Sequence, residues 1–434
     1  MRSGGTPTVV RARLESASPN AIAVRVESPD GPRLLEYRSP EPVWESEPPT
    51  SDFVAVALAQ FASAHGCDLV IDGPVTTAQL ERLDEYLQIW SVWRPDLFDH
   101  IRITAAEEVD EPTPARRRGA VMGFSGGVDA SFALAAHSTG SLGRLTRSVD
   151  LGVLVIGWDI RQGDETGMRR AWSSARDSLD AYGARTAVVS TNWQQDFCKS
   201  WFMSFNSGLM AILHTFSGSH SSAVHATDLS YRDELKMPPY GGNMAVNHLL
   251  GAPWFPVVST GGTHRRIERV GFLADHPVLL DDLRVCYQAR AAGANCGRCE
   301  KCVRTQLELR VLGLRADRAF PSPVTAQNLW AAKATNTTVL LHFEDVLARM
   351  HEDDELRRPL SQWVRRETLA QARRQQSPLA RVANLERRLA TTHAELAALQ
   401  ASRWWRMTTP LRAANDRLRT AARAPALLNR RAWE

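Results

Sequence analysis

The sequence predicts an α/β protein built on a doubly wound, mostly parallel sheet, with a small α+β accessory domain before it and a helical tail after it. Three observations carry this reading. From Gly119 onward, short apolar runs alternate with amphipathic stretches of helical length. A glycine-rich turn lies between the first such run and the first such helix. Beyond about residue 325, helical patterning dominates. At 44% hydrophobic and 23% charged residues, the composition excludes a wholly disordered or collagen-like chain.

Residues 8–38 alternate apolar and polar positions with β-branched enrichment, which predicts a few short strands. A Pro-rich break from Ser39 to Pro49 follows, then a helix from Asp52 to about His65 and the strand-like CDLVIDGPV. A second helix, Thr76 to about Trp93, precedes the strand HIRITAAEEV. The charged, Pro-rich DEPTPARRRG at 110–119 marks a domain boundary, so 1–112 reads as the accessory domain. Strand, helix, strand, helix then follow in AVMGF, VDASFALAAH, VDLGVLVIGWDI and a helix from about Thr166 to Tyr182. The strand ARTAVVST, a helix around Phe202 to Phe216 and SSAVHATDL complete a domain spanning 119–325. Residues 326–379 form a helical extension. A heptad run (Val382, Leu385, Leu389, Thr392, Leu396, Leu399) opens the last segment, 380–434.

The turn reads Gly123, Phe124, Ser125, Gly126, Gly127, Val128, Asp129, Ala130, Ser131. Gly126 and Gly127 lack Cβ atoms, so the backbone can turn sharply and bring its N–H groups to an anion. The helix start that follows adds about half a unit of positive charge, which suits pyrophosphate. The pattern is neither G-x-x-x-x-G-K-[ST] nor G-x-G-x-x-G, and no Lys is placed to reach β/γ-phosphates. A ligand-free strand-to-helix turn is the plain structural alternative.

Four of the six cysteines fall in CYQARAAGANCGRCEKC: Cys286, Cys296, Cys299 and Cys302, with Gly297 permitting a tight turn. Four thiolates at this density suit tetrahedral Zn²⁺. The C-x2-C-x2-C run is also half of an iron–sulfur signature, without its usual continuation, and redox or catalytic cysteines are the third alternative. Cys67 and Cys198 stand alone and are expected to be buried structural thiols.

The turn resembles the S-G-G-x-D-S loop of the PP-loop ATP pyrophosphatases, the superfamily of asparagine, NAD and GMP synthetases. Ser125, Gly126, Gly127 and Asp129 match; the final Ser is replaced by Ala130, with Ser131 one place later. Together with a four-cysteine cluster about 160 residues on, the chain is similar to 7-cyano-7-deazaguanine synthase-like proteins over roughly 119–313. The resemblance implies an adenine nucleotide alpha hydrolase-like fold, ATP with Mg²⁺, and a structural Zn²⁺ on the four cysteines. It further implies that a substrate carboxylate is adenylated with release of pyrophosphate and then receives nitrogen. Ser125, Gly126, Gly127, Val128, Asp129 and Ser131 would bind the nucleotide, and Asp129, Ser131 and Arg265 would be catalytic.

Other polar residues are candidates for the site. His225, Thr227 and Asp228 follow an apolar run, where such sheets present ligands; a loop with a capping Asp is the alternative. Ser259, Thr260, His264, Arg265 and Arg266 lie in a glycine-containing turn, where paired Arg could bind a carboxylate or the adenylate phosphate, or simply meet solvent. Lys301 and Arg304 flank the cysteines.

Residues 357–434 carry 17 Arg, no Lys and 5 acids, whereas 1–356 hold 35 basic and 43 acidic residues. The acidic body argues against nucleic acid as a partner; a small-molecule carboxylate substrate is what the family resemblance implies. The basic tail, with Trp404 and Trp405 after the heptads, is suited to a partner protein, a second copy of the chain or an anionic membrane surface. That tail resembles the C-termini of glycosyltransferases from surface-polysaccharide clusters. The start, MRSGGTPTVV, has no apolar h-region, so a reducing cytoplasmic setting is expected. The leading expectation is an AMP-forming carbon–nitrogen ligase. The alternatives are a sulfur-transferring nucleotide or tRNA modifier and a non-catalytic nucleotide-binding scaffold linked to surface polysaccharide.

Overall fold

A computed structural model describes residues 9–45, 47–112, 118–288, 293–375, 387 and 389–394. The first strands are β1 (Val9–Ser18), β2 (Ala21–Glu27), β3 (Arg33–Arg38), β4 (Asp68–Thr76) and β5 (Ile103–Val109). After them come β6 (Arg118–Gly123), β7 (Val149–Ile156), β8 (Arg185–Thr191), β9 (His220–Ala226) and β10 (Val257–Thr260). All ten belong to one sheet, ordered β10-β9-β6-β7-β8-β3-β2-β1-β4-β5. Within the block β10-β9-β6-β7-β8 every pair of adjacent strands is parallel, as it is within β1-β4-β5. The antiparallel pairs β1–β2, β2–β3 and β3–β8 join the two blocks. The fold is therefore α/β with a mostly parallel sheet.

The segment before residue 112 thus does not close a sheet of its own. Tyr37 pairs with Thr191 and Arg38 with Ser190 across β3–β8. Asn192 reinforces the seam: its Oδ1 accepts from the Glu36 amide at 2.9 Å and its Nδ2 donates to the Leu34 carbonyl at 2.8 Å. The helix Asp52–Ala64 is buried along almost its whole length and packs on the helix Trp201–His214. Asp52 fixes its start, accepting from the Thr76 amide and hydroxyl at 2.8 Å each and from Trp254 Nε1 at 3.2 Å. One apolar core runs through both blocks, from Val24 and Phe53 to Val121 and Val153.

Strand order explains where a ligand would sit. From β6 the chain passes to β7 and β8 on one side, then returns to β9 and β10 on the other. That reversal beside β6 is a topological switch point, and the carboxyl ends of β6, β7 and β9 frame a crevice there.

The helices Ala326–Ala331, Thr337–Arg349 and the first turns of Arg357–Gln375 share a core with the helix Glu300–Val311, built on Val303, Leu307, Leu340, Phe343 and Trp363. Trp363 Nε1 donates to the Ala332 carbonyl at 3.0 Å. Residues up to Thr368 belong to one compact unit, and Leu369 begins a second. In the second unit, 389–394 are helical and Leu389 is exposed. The heptad positions Val382, Leu385, Leu396 and Leu399 and the pair Trp404 and Trp405 lie outside the described residues. Among the described residues, no helix is long and apolar enough to cross a membrane.

Candidate functional site

At the end of β6 the chain turns through the glycine loop into the helix Val128–Ser138. Gly126 has φ +72°, a left-handed conformation that a side chain resists. Gly123 leaves room for Leu209, whose Cδ1 would lie 2.9 Å from a Cβ there. Ser125 is exposed, and its Oγ accepts from the Gly127 amide at 3.3 Å. The loop faces a cleft of about 650 Å³, within the range of small-molecule sites.

The structure separates residues that are adjacent in sequence. Ser125, Gly127, Val128, Asp129 and Ala130 line the cleft, whereas Ser131 is 1% exposed, inside the helix and off the cleft wall. Successive helical residues point about 100° apart, so the position that would carry the resembled family's final hydroxyl is Ala130, and Ser131 does not stand in for it. Arg265 is likewise off the cleft, paired with Asp345. Its neighbour Arg266 and the residue one turn on, Arg269, face the loop instead. Arg269 Nη1 lies 2.6 Å from Asp129 Oδ1, and Arg266 Nη1 lies 3.4 Å from Oδ2.

These pairs decide the state of Asp129. Burial pushes its carboxyl up, but the Arg269 and Arg266 charges outweigh that and hold it below the usual carboxylate range. Arg269 is fully buried and also donates to the carbonyls of Thr227, Leu229, Gly261 and His264. It therefore ties the ends of β9 and β10 to the glycine loop, and Asp129 is a structural anchor as well as a cleft residue.

His225 and Asp228 line the cleft. Burial depresses the His225 imidazole to about 4, so it is neutral near pH 7. Asp228 accepts from the Tyr240 hydroxyl at 2.7 Å, and burial raises its carboxyl. Thr227, by contrast, is buried in the Arg269 network. Thr260 bonds His137 Nε2 at 2.9 Å, and His264 packs on Phe132, so neither reaches the cleft, nor does Ser259.

Cys286, Cys296, Cys299 and Cys302 converge, all four sulfurs lying within 4.8 Å of one another. Two S···S distances are 3.9 Å, close to the roughly 3.8 Å edge of a tetrahedron with Zn–S bonds of about 2.3 Å. The donor set therefore fits a metal ion such as zinc. Gly297, at φ +70°, shapes the turn, and the Cys299 amide points at Cys296 Sγ, 3.2 Å away. Asn295 clasps the loop, accepting from the amides of Val285 and Cys286 and donating to the carbonyls of Leu283 and Ala319. Of the two isolated thiols, Cys67 is buried and Cys198 half-buried, the latter pushed up to about 11 by burial.

The cysteine loop and the glycine loop touch. The Arg284 amide donates to the Gly126 carbonyl at 2.8 Å, and its Nε donates to the Ser125 carbonyl at 3.0 Å. Arg284, Tyr287, Glu300, Lys301 and Arg304 all line the cleft and all lie within two residues of a cysteine. A metal held there would fix this wall against the loop. The helical extension supplies Asn336, Thr338 and His342 to the same cleft, and Trp158, Trp201, Phe202 and Phe205 add an aromatic wall.

Sequence reasoning did not find Arg269, Arg284, Asn295 or His342. The i, i+3 spacing of Arg266 and Arg269 was the available signal for the first; the others lie near the loop only in three dimensions. Compared with protein-family models, curated proteins and solved structures, the chain matches none.

Proposed function

We propose that the protein is an ATP-dependent enzyme that adenylates a small-molecule carboxylate, releases pyrophosphate and transfers nitrogen, in the manner of the PP-loop superfamily its sequence resembles. The observation that carries this reading is the glycine loop at the switch point, opening onto a cleft lined by Arg266, Arg284 and Lys301. Such a wall suits a polyanion, and the loop amides and the start of an eleven-residue helix add donors.

In this reading, Ser125 and the Gly126–Val128 amides hold the pyrophosphate portion of ATP. A carboxylate oxygen forms a bond to the α-phosphorus, and the bond from that phosphorus to the bridging oxygen breaks, with the electron pair leaving on pyrophosphate. The cationic wall stabilises the charge that develops on the leaving group. Mg²⁺ accompanies the nucleotide. Asp129 keeps Arg266 and Arg269 in place. Zinc on the four cysteines is structural, holding Arg284 and Arg304 at the cleft. The cysteine sulfurs point at one another, which favours nitrogen over sulfur transfer.

Incubation with Mg·ATP and a panel of carboxylic acids and amines tests the reading, with AMP and pyrophosphate as the expected products. ADP as the nucleotide product refutes it.

A further inference from the structure

The cleft contains a buried cation that is ion-paired with Glu300 but has no hydrogen-bond acceptor among the described residues. Arg304 is 6% exposed and lines the cavity. Its Nε has no partner, and the carboxylate within reach, Glu300, is 3.8 Å from Nη1, beyond hydrogen-bond distance. Its neighbours are committed elsewhere: Arg266 to Asp129, Glu308 and Thr305, and Arg269 to Asp129 and four carbonyls. A guanidinium presents five donors in a rigid fork, and burying those donors without hydrogen bonds is costly even beside a counter-charge. That fork matches the two oxygens of a carboxylate.

The helix Thr337–Arg349 packs on the helix that carries Arg304 and brings in His342. His342 is also 6% exposed, also lines the cleft, and makes no hydrogen bond among the described residues. It is held neutral by burial and by the surrounding Arg charges, so it offers one N–H donor and one acceptor nitrogen. Two polar side chains, each more than nine-tenths buried and without a hydrogen bond among the described residues, thus share one cavity. The same cavity is lined by Trp158 and Trp201, whose rings meet edge-on with centroids 5.1 Å apart.

We propose that Arg304 and His342 form the receptor for the acid group of the acceptor, and that the acceptor is a monocarboxylate with an apolar body. The helical extension, through His342, then selects which acid is activated. The proposal rests on the ATP-dependent reading for the fate of the acid, while the recognition of the acid rests on the pair itself.

The test uses the full chain and equilibrium binding by calorimetry and ligand-observed NMR. The probes are benzoate, succinate, benzyl alcohol and the non-cleavable α,β-methylene analogue of ATP. Benzoate is expected to bind saturably, and succinate and benzyl alcohol at least about tenfold more weakly. Arg304→Gln and His342→Ala should each weaken benzoate at least about tenfold while leaving the nucleotide analogue within about threefold. Arg304→Lys, which keeps the charge, and His342→Gln serve as variants that preserve packing, with circular dichroism reporting the fold. Loss of nucleotide binding with benzoate unchanged would make Arg304 a phosphate ligand and overturn the proposal. So would wild-type protein that fails to bind benzoate, or variants that bind it as wild type does. If benzoate binding follows the expected pattern but no acid yields AMP, the receptor stands and the catalytic reading falls.

Discussion

Replacing Asp129 by Asn keeps the shape of the side chain and removes its charge, so it separates the two duties that the structure gives this residue. In the folded protein Asp129 Oδ1 is 2.6 Å from Arg269 Nη1, and Oδ2 is 3.4 Å from Arg266 Nη1. Losing one partner of a fully buried ion pair costs about 3–5 kcal/mol. Two features reduce that figure here. The Asp129 side chain is 24% exposed, and Arg269 keeps four carbonyl acceptors while Arg266 keeps Glu308. What remains is close to one hydrogen bond between charged groups, about 1.5–3 kcal/mol. The sign with pH is fixed by the lowered native carboxyl. The stabilisation is present above the unfolded value of about 3.9 and is lost as pH falls through the native one, so the gap between wild type and variant should narrow in acid. Urea unfolding at neutral and acidic pH measures the gap, and pyrophosphate release measures the chemistry. A folded Asn variant with wild-type pyrophosphate release would refute the assignment of this loop to the nucleotide. A stability change under about 0.5 kcal/mol at neutral pH would refute the anchoring argument.

Three further outcomes are expected. Gly126→Val places a β-branched residue at φ +72° with its Cβ 3.4 Å from that of Arg284; it should cost about 1–3 kcal/mol and weaken ATP binding, and unchanged ATP titration would count against the loop. Elemental analysis should find about one zinc per chain; chelation, or Cys302→Ser, should weaken nucleotide binding through Arg284 and lower the melting midpoint, and a metal-free protein that binds ATP normally would separate the two loops. His137 and His225 are buried with values of about 4, below the 6.5 of an exposed imidazole, so the unfolded chain takes up protons first as pH falls. Stability should hold above about pH 6.5 and decline towards pH 4, by up to roughly 3 kcal/mol for each histidine; a slope in denaturant titrations that is unaltered in a His137→Gln, His225→Gln variant would refute this.

Much of the architecture was legible along the chain because it depends on local patterns. Runs of five to twelve residues separated by amphipathic helices located β6 to β9, although the readings for β7 and β9 ran four and three residues past the observed ends. The glycine pair needed a turn, and the four cysteines could meet because their spacing is short. β10 escaped notice, being four residues long within a polar, glycine-containing stretch. The break at 110–119 was legible as a change of composition, yet the strands on either side share one sheet through β3 and β8. Strand pairing depends on backbone hydrogen bonds between distant segments, and composition does not report it.

The sequence by itself determined the element types, the turn that presents the glycine loop, and the cluster of thiols able to hold a metal. Only the tertiary structure decided which side chains share the cleft. Helical rotation put Ala130 on the wall and Ser131 in the core, and turned Arg266 and Arg269 toward Asp129 while Arg265 went to Asp345. It also brought His342 beside Arg304 across 38 positions of sequence. The physical reason is that backbone conformation follows short-range sterics and periodicity, whereas a site is set by packing and charge pairing among segments that meet only once the core has formed.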